Sequence, residues 1–305
     1  MATTYDFVAA NKRRSFILIS VFIIMVVLLG WAVGQLWEAG PAGLIIAVVI
    51  AIGMSLTGYY SGDKIALMTA GAQGPITKEQ NSYLYNLVEN LCIADGLAVP
   101  KIYIIPAPQI NAFATGRDPQ HASIAITTGG IEKLENEELE GVLAHELSHV
   151  KNYDVRFMTL VAVLVGVVIL LSDFFWRTRW IGGQRNNDRG GGQLQGILMI
   201  VGIILLIFAP IAGQLLQFAL SRKREFLADA SGALLTRYPE GLARALEKIA
   251  AANAEPMARV SKATAHLYIS SPFGSGRKVS RLFNTHPPVS ERVTALRQMS
   301  GPANV

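Results

Sequence analysis

The stretch Val142-Leu143-Ala144-His145-Glu146-Leu147-Ser148-His149-Val150 decides how the rest of this chain is read. Two histidines four residues apart project from one face of a helix, close enough for both imidazoles to reach a single metal ion. Glu146 then stands beside that ion, where a carboxylate can take a proton from water acidified by the metal and so prepare a nucleophile for a peptide carbonyl. HExxH is short enough to arise by chance, and its bland reading is two solvated histidines on a helix surface. The uncharged neighbours weigh against that: they belong to a buried helix, in which three unpaired polar side chains would be costly to desolvate. Asn136 is the expected cap of this helix, with Glu137 and Glu138 in its first turn favourable near the positive end of the dipole.

Upstream, residues 63–156 pattern like a water-facing domain. Leu84, Leu87, Val88, Leu91 and Cys92 recur at helical spacing and Asp95-Gly96 supplies a stop. Residues 101–105 and 123–128 are rich in β-branched side chains between Pro and Gly and read as short strands, and residues 111–115 are expected to be extended as well.

Further out the chain becomes apolar. It has 305 residues, 51% hydrophobic and only 16% charged, which sets it apart from an ordinary soluble domain. Residues 15–34 and 39–62 carry no charged side chain, so each can cover about 30 Å of hydrocarbon as a helix. Residues 157–172 and 196–220 are also uncharged, although the second run contains Pro210. Lys12, Arg13 and Arg14 precede the first run and the connection to the second has no cation, which places the N-terminus and residues 63–156 on the cytoplasmic side. The first run is too long for a usual signal core and reads as a retained anchor. Arg177, Arg179, Arg185 and Arg189 disagree with full translocation of the connection between the third and fourth runs, and the Gly-rich stretch 182–193 is expected to be a polar linker.

The net charge of +5 is explained by clusters flanking the apolar runs, near anionic lipid; with no basic stripe interleaved with aromatics, no nucleic-acid partner is expected. Cys92 is the single cysteine, so no intrachain disulfide can form.

A catalytic metal held by two histidines needs a third protein ligand. Asn152 and Val155 stand where HExxHxxGxxH would have Gly and His, so the ligand comes from elsewhere. Glu225 and Asp229 share a helical face and suit a ligand and an acceptor that orients an imidazole, but spacing alone is equally compatible with a solvated acidic face balanced by Arg222, Lys223 and Arg224.

Taken together, HELSHVKNYD, REFLADASGA, NAFATG and THPPVSER resemble the HtpX family of membrane metallopeptidases, relatives of the CAAX prenyl endopeptidases. The resemblance covers nearly the whole chain, including the order of hydrophobic pair, catalytic segment, second pair and ExxxD helix. It implies one Zn2+ per chain on His145, His149 and Glu225, with Asp229 behind an imidazole. It also implies that Asn111, Ala112 and Phe113 lie on an edge strand to which an extended substrate adds as a further strand. His286 is implied to stabilise the tetrahedral oxyanion, and Arg292 to be either a substrate contact or a charge on a helix surface. The implied role is quality control of membrane proteins under stress, with membrane-protein or unfolded polypeptide substrates, at the bacterial inner (plasma) membrane. Oligomeric state is not readable from these residues.

The expected fold is therefore a mostly α membrane protein with two to four transmembrane helices and a small α+β zincin, gluzincin-like catalytic domain. Its parts are a membrane hairpin (1–62), a first catalytic part (63–156), a second hydrophobic hairpin (157–221) and a second catalytic part (222–305). The rival reading, a membrane transporter or scaffold with an incidental HExxH, is disfavoured because the apolar runs hold no charged residue of the kind that marks an ion route. Five histidines also argue against a histidine-rich di-iron enzyme of the bilayer.

Overall fold

The computed structural model describes residues 4–36, 40–182, 202, 222–252, 255–261, 263–273 and 287–299. Two long helices open the chain, α1 Thr4–Leu36 and α2 Gly40–Ala70. Helix α3 (Ser82–Asp95) and strands β1 (Lys101–Ile105), β2 (Ala112–Gly116) and β3 (Ala122–Thr127) follow. Then come the short α4 (Thr128–Lys133), the HExxH helix α5 (Asn136–Lys151) and the long α6 (Asp154–Gly182). Beyond it lie α7 (Arg222–Thr236), α8 (Pro239–Ala252) and α9 (Val289–Met299).

The strands make one mixed sheet in the order β1-β3-β2, with β1 parallel and β2 antiparallel to β3. Every residue of β2 and β3 is buried, because the two faces of the sheet serve different cores. Ile102, Ala112, Ala114, Ile124 and Ile126 face a core shared with α3, α5 and α8. Phe113 and Ala125 face a core built with α1, α2 and α6 through Leu18, Phe22, Leu67, Phe157, Leu160 and Val161. The expected strands and the stop at Gly96, which adopts φ 69°, are found.

The cap of α5 falls one residue before Asn136. The Glu135 N–H donates to Glu138 Oε2 at 2.9 Å, so a carboxylate reaching back from the third helical position satisfies the end of the helix. Asn136 instead accepts from the Tyr83 hydroxyl at 3.0 Å.

Ala42–Ala70 is, among the described residues, the one stretch long and apolar enough to cross a membrane by length and composition. Ile45, Ile46, Val49 and Ile50 on α2, with Phe16, Ile17, Ile24 and Trp31 on α1, are exposed, which gives the pair an apolar surface that a bilayer would cover. The 157–172 run lies inside α6, which starts three residues earlier at Asp154 and continues through Arg177 and Arg179. The 196–220 run, apart from residue 202, and residues 183–193 of the Gly-rich stretch lie outside the described residues.

Two glycines set how closely helices approach the HExxH helix. A Cβ on Gly232 of α7 would sit 2.9 Å from the His145 backbone nitrogen, and one on Gly141 of α5 would sit 2.8 Å from the Leu242 nitrogen of α8. Both contacts are with backbone, so neither position accepts a side chain while the helices stay where they are.

Candidate metal centre

Helix α5 brings His145 and His149 one turn apart, with ring centroids 4.9 Å apart and planes at 89°. Both rings are buried, as is Glu146 between them. Helix α7 crosses at Gly232 and delivers Glu225, whose Oε2 is 4.0 Å from His145 Nε2 and whose Oε1 is 3.6 Å from His149 Nε2. One ligand atom from each of the three residues lies within 4.8 Å of the others. Both gaps to Glu225 are below the roughly 4.2 Å that two metal–ligand bonds of about 2.1 Å can span.

The chemistry of the donors fits a cation. Each imidazole has its Nδ1 engaged by a carboxylate: His145 by Asp229 at 2.9 Å and His149 by Asp154 at 2.9 Å. In a neutral imidazole, an Nδ1–H donated to a carboxylate leaves Nε2 as the lone-pair nitrogen, and both Nε2 atoms are turned towards Glu225. The three residues thus converge as acceptors, an arrangement suited to a positive ion.

The two imidazoles are held by different parts of the molecule. Asp229 is locked by Arg292 of α9, whose Nε and Nη2 donate to Asp229 Oδ2 and Oδ1 at 2.8 and 2.6 Å. Arg292 Nη1 also lies 3.8 Å from Glu225 Oε2. The guanidinium is 1% exposed, which excludes the surface-charge reading of Arg292 and accounts for its donors without a substrate. Asp154 is reached through a tight turn in which Tyr153 takes φ 58°, a conformation that L side chains avoid at roughly 1–2 kcal/mol. The turn brings the first residue of α6 back beneath His149.

Electrostatics differ accordingly. Burial lowers His145 below its ordinary value; Asp229 opposes this, while Arg292 and His149 reinforce it. Burial would lower His149 too, but its hydrogen bond to Asp154 and the charges of Glu225, Asp154 and Glu146 win and lift it to about 9. Glu146 is raised to about 7, chiefly by burial and further by Glu225, against His149. Asp229 stays below the usual carboxylate range because Arg292 overcomes the effect of burial.

Of the expected substrate edge, Asn111, Ala112 and Phe113 are all buried. The free side of β2 is already paired: Ala112 C=O accepts from Ile269 N–H at 2.9 Å, and Gly116 N–H donates to Thr159 Oγ1 at 3.1 Å. Ala114 N–H serves the Glu146 carboxylate. Asn111 Nδ2 donates to Ser270 C=O at 3.0 Å, and the Phe113 ring meets Tyr268 edge-on at 4.9 Å. His286 lies outside the described residues. Asp154 is the site residue that sequence reasoning passed over; its signal was its place five residues after His149 inside HELSHVKNYD.

An HExxH helix whose two imidazoles converge on a buried glutamate from a later helix is the arrangement of a metallopeptidase. Residues 78–300 match peptidase family M48. The chain is 45% identical over 297 residues to the protease HtpX homolog of Dictyoglomus turgidum, covering 97% of this chain and 95% of the relative. It is 43% identical over 300 residues to the protease HtpX homolog of Caldanaerobacter subterraneus subsp. tengcongensis, covering 98% of each. Ste24p of S. mikatae superposes with a TM-score of 0.49 at 16% identity, over 95% of this chain and 66% of that one, too distant to inform the site. The chain belongs to peptidase family M48 and is a membrane metalloprotease of the HtpX type.

Proposed function

We propose that the metal is a single zinc ion held by His145, His149 and Glu225, and that the enzyme hydrolyses peptide bonds of misfolded or damaged membrane proteins. The observation that carries the metal assignment is the convergence of both Nε2 atoms on Glu225, 4.0 and 3.6 Å away. When bound, zinc supplies a Lewis acid that acidifies water and polarises a carbonyl. Glu146, raised to about 7 by burial, accepts a proton from the attacking water and passes it to the leaving nitrogen. Asp229 and Asp154 hold the imidazoles in the tautomer that presents Nε2. His286, from the HPP motif, is assigned to the oxyanion.

In this reading an extended polypeptide lies along β2, the edge strand beside Glu146. The Ile269 N–H and the Ser270 carbonyl must release Ala112 and Asn111 before that pairing forms. Residues 1–62 and 157–221 hold the two catalytic parts, 63–156 and 222–305, at the cytoplasmic face of a multi-pass protein. Support comes from Lys12, Arg13 and Arg14 before the first apolar run and Arg222, Lys223 and Arg224 after the last.

Metal analysis and a cleavage assay on an unfolded membrane polypeptide test this reading with native protein and Glu146→Gln side by side. Both should carry one zinc, and the variant should lose roughly a hundredfold or more in rate. A variant as active as the native enzyme would remove Glu146 from the chemistry, and native protein that retains no zinc would remove the metal.

A further inference from the structure

Asp154 is a junction. Its Oδ2 accepts from His149 Nδ1 at 2.9 Å, while its Oδ1 accepts from Asn11 Nδ2 of α1 at 2.5 Å and forms an ion pair, without hydrogen-bond alignment, with Arg224 Nη2 of α7 at 2.9 Å. The same Asn11 amide donates its other hydrogen to the Asn152 carbonyl, 3.0 Å away, in the turn that closes α5. Asn11 is 2% exposed although it lies at the start of a helix whose remainder is largely apolar.

We propose that Asn11 is a positioning residue of the metal centre, acting through Asp154 on His149. The proposal rests on the reading that His149 is a zinc ligand. Both partners of the Asn11 amide are acceptors, so only its NH2 group can face them and its orientation is fixed by chemistry. An amide hydrogen bond to Oδ1, with a guanidinium paired beside it, restrains the carboxylate from turning and keeps its Oδ2 aimed at the imidazole. Removing such support behind a ligand weakens metal binding without touching the ligand. Asparagine is also the residue this place needs. Leucine would fill the volume but leave Asp154 and the Asn152 carbonyl short of a donor, and aspartate would set a second carboxylate against the first. Helix α1 thereby helps position the metal centre in addition to the anchoring role read from its apolar run.

The test uses full-length protein in detergent, with zinc affinity measured against a competing chelator and the visible spectrum of the cobalt-substituted enzyme as a probe of ligand geometry. Asn11→Ala should bind zinc about three- to tenfold more weakly, below the 10- to 100-fold typical of a group that touches the imidazole itself. Asn11→Asp should lose more than Asn11→Ala, and both should shift the cobalt absorption. Ser15→Ala, which removes a hydrogen bond to the Asn11 backbone carbonyl but leaves the Asn11 side-chain amide in place, should change neither readout. Wild-type affinity and spectrum in both Asn11 variants would overturn the proposal, and so would loss of folding in both while Ser15→Ala folds, since the role would then be structural. If His149→Ala also binds zinc like the wild type, the fault lies in the reading of His149 as a ligand.

Discussion

His145 and His149 are the same residue on the same helix, one turn apart and equally buried, yet their surroundings push them in opposite directions. His145 is backed by Asp229, whose charge is matched by a bidentate arginine, so burial prevails. His149 is backed by Asp154 and faces two further carboxylates, and the proton is retained. His145 is supported through Asp229 of α7 and Arg292 of α9, and His149 through Asp154 at the start of α6, with Asn11 of α1 and Arg224 of α7 behind it. A motif read as a symmetric pair is two half-sites backed by different sets of residues.

Breaking the Arg292 half should have the largest effect. Arg292→Met leaves Asp229 as a buried charge without its cation, a change that typically costs about 3–5 kcal/mol. Thermal or denaturant unfolding of the full chain should report a loss of that order. A variant as stable as the wild type would mean that Asp229 finds another partner.

The two orienting carboxylates allow a closer comparison. Asp229→Asn and Asp154→Asn should each weaken zinc about 10- to 100-fold, measured by chelator competition. An effect in one variant alone would show that the other imidazole needs no orienting partner.

The smallest effect separates the half-sites by pH. A histidine raised from 6.5 to about 9 stabilises the metal-free fold below its unfolded value, and that contribution is lost as pH rises through about 9. Glu146, raised from 4.5 to about 7, acts with the same sign over its own range. The metal-free enzyme should therefore lose thermal stability between pH 6.5 and 9, while the zinc-loaded enzyme, which needs neutral imidazoles, gains on it. The drift should shrink in Asp154→Asn and persist in Asp229→Asn. A stability gap between the two forms that does not change with pH would contradict this account.

What the sequence made legible follows from what is local. The α5 helix, the stop at Gly96 and strands at residues 101–105 and 123–128 depend on nearest neighbours and emerge where expected. His145, Glu146 and His149 are readable because four-residue spacing on a helix is itself a geometric statement. Glu225 and Asp229 are readable as a pair, but their meeting with α5 needs the family's pattern. Arg292 reads from sequence as a substrate contact or a surface charge because nothing near it in the chain announces a buried carboxylate on α7. Asp154 is hidden by Tyr153, an ordinary residue in a left-handed turn where a glycine would have signalled the reversal. Asn11 is hidden by its position, since a polar residue at the mouth of an apolar helix passes for a boundary marker.

Gly232 has a consequence beyond packing. Glu225 rides on α7 and the imidazoles on α5, so the cavity between them is as wide as the crossing of those helices permits. At that crossing a hydrogen occupies the place of a carbon. The spacing open to an ion between the two helices is therefore set by a residue outside the His-His-Glu cluster, seven positions along from Glu225.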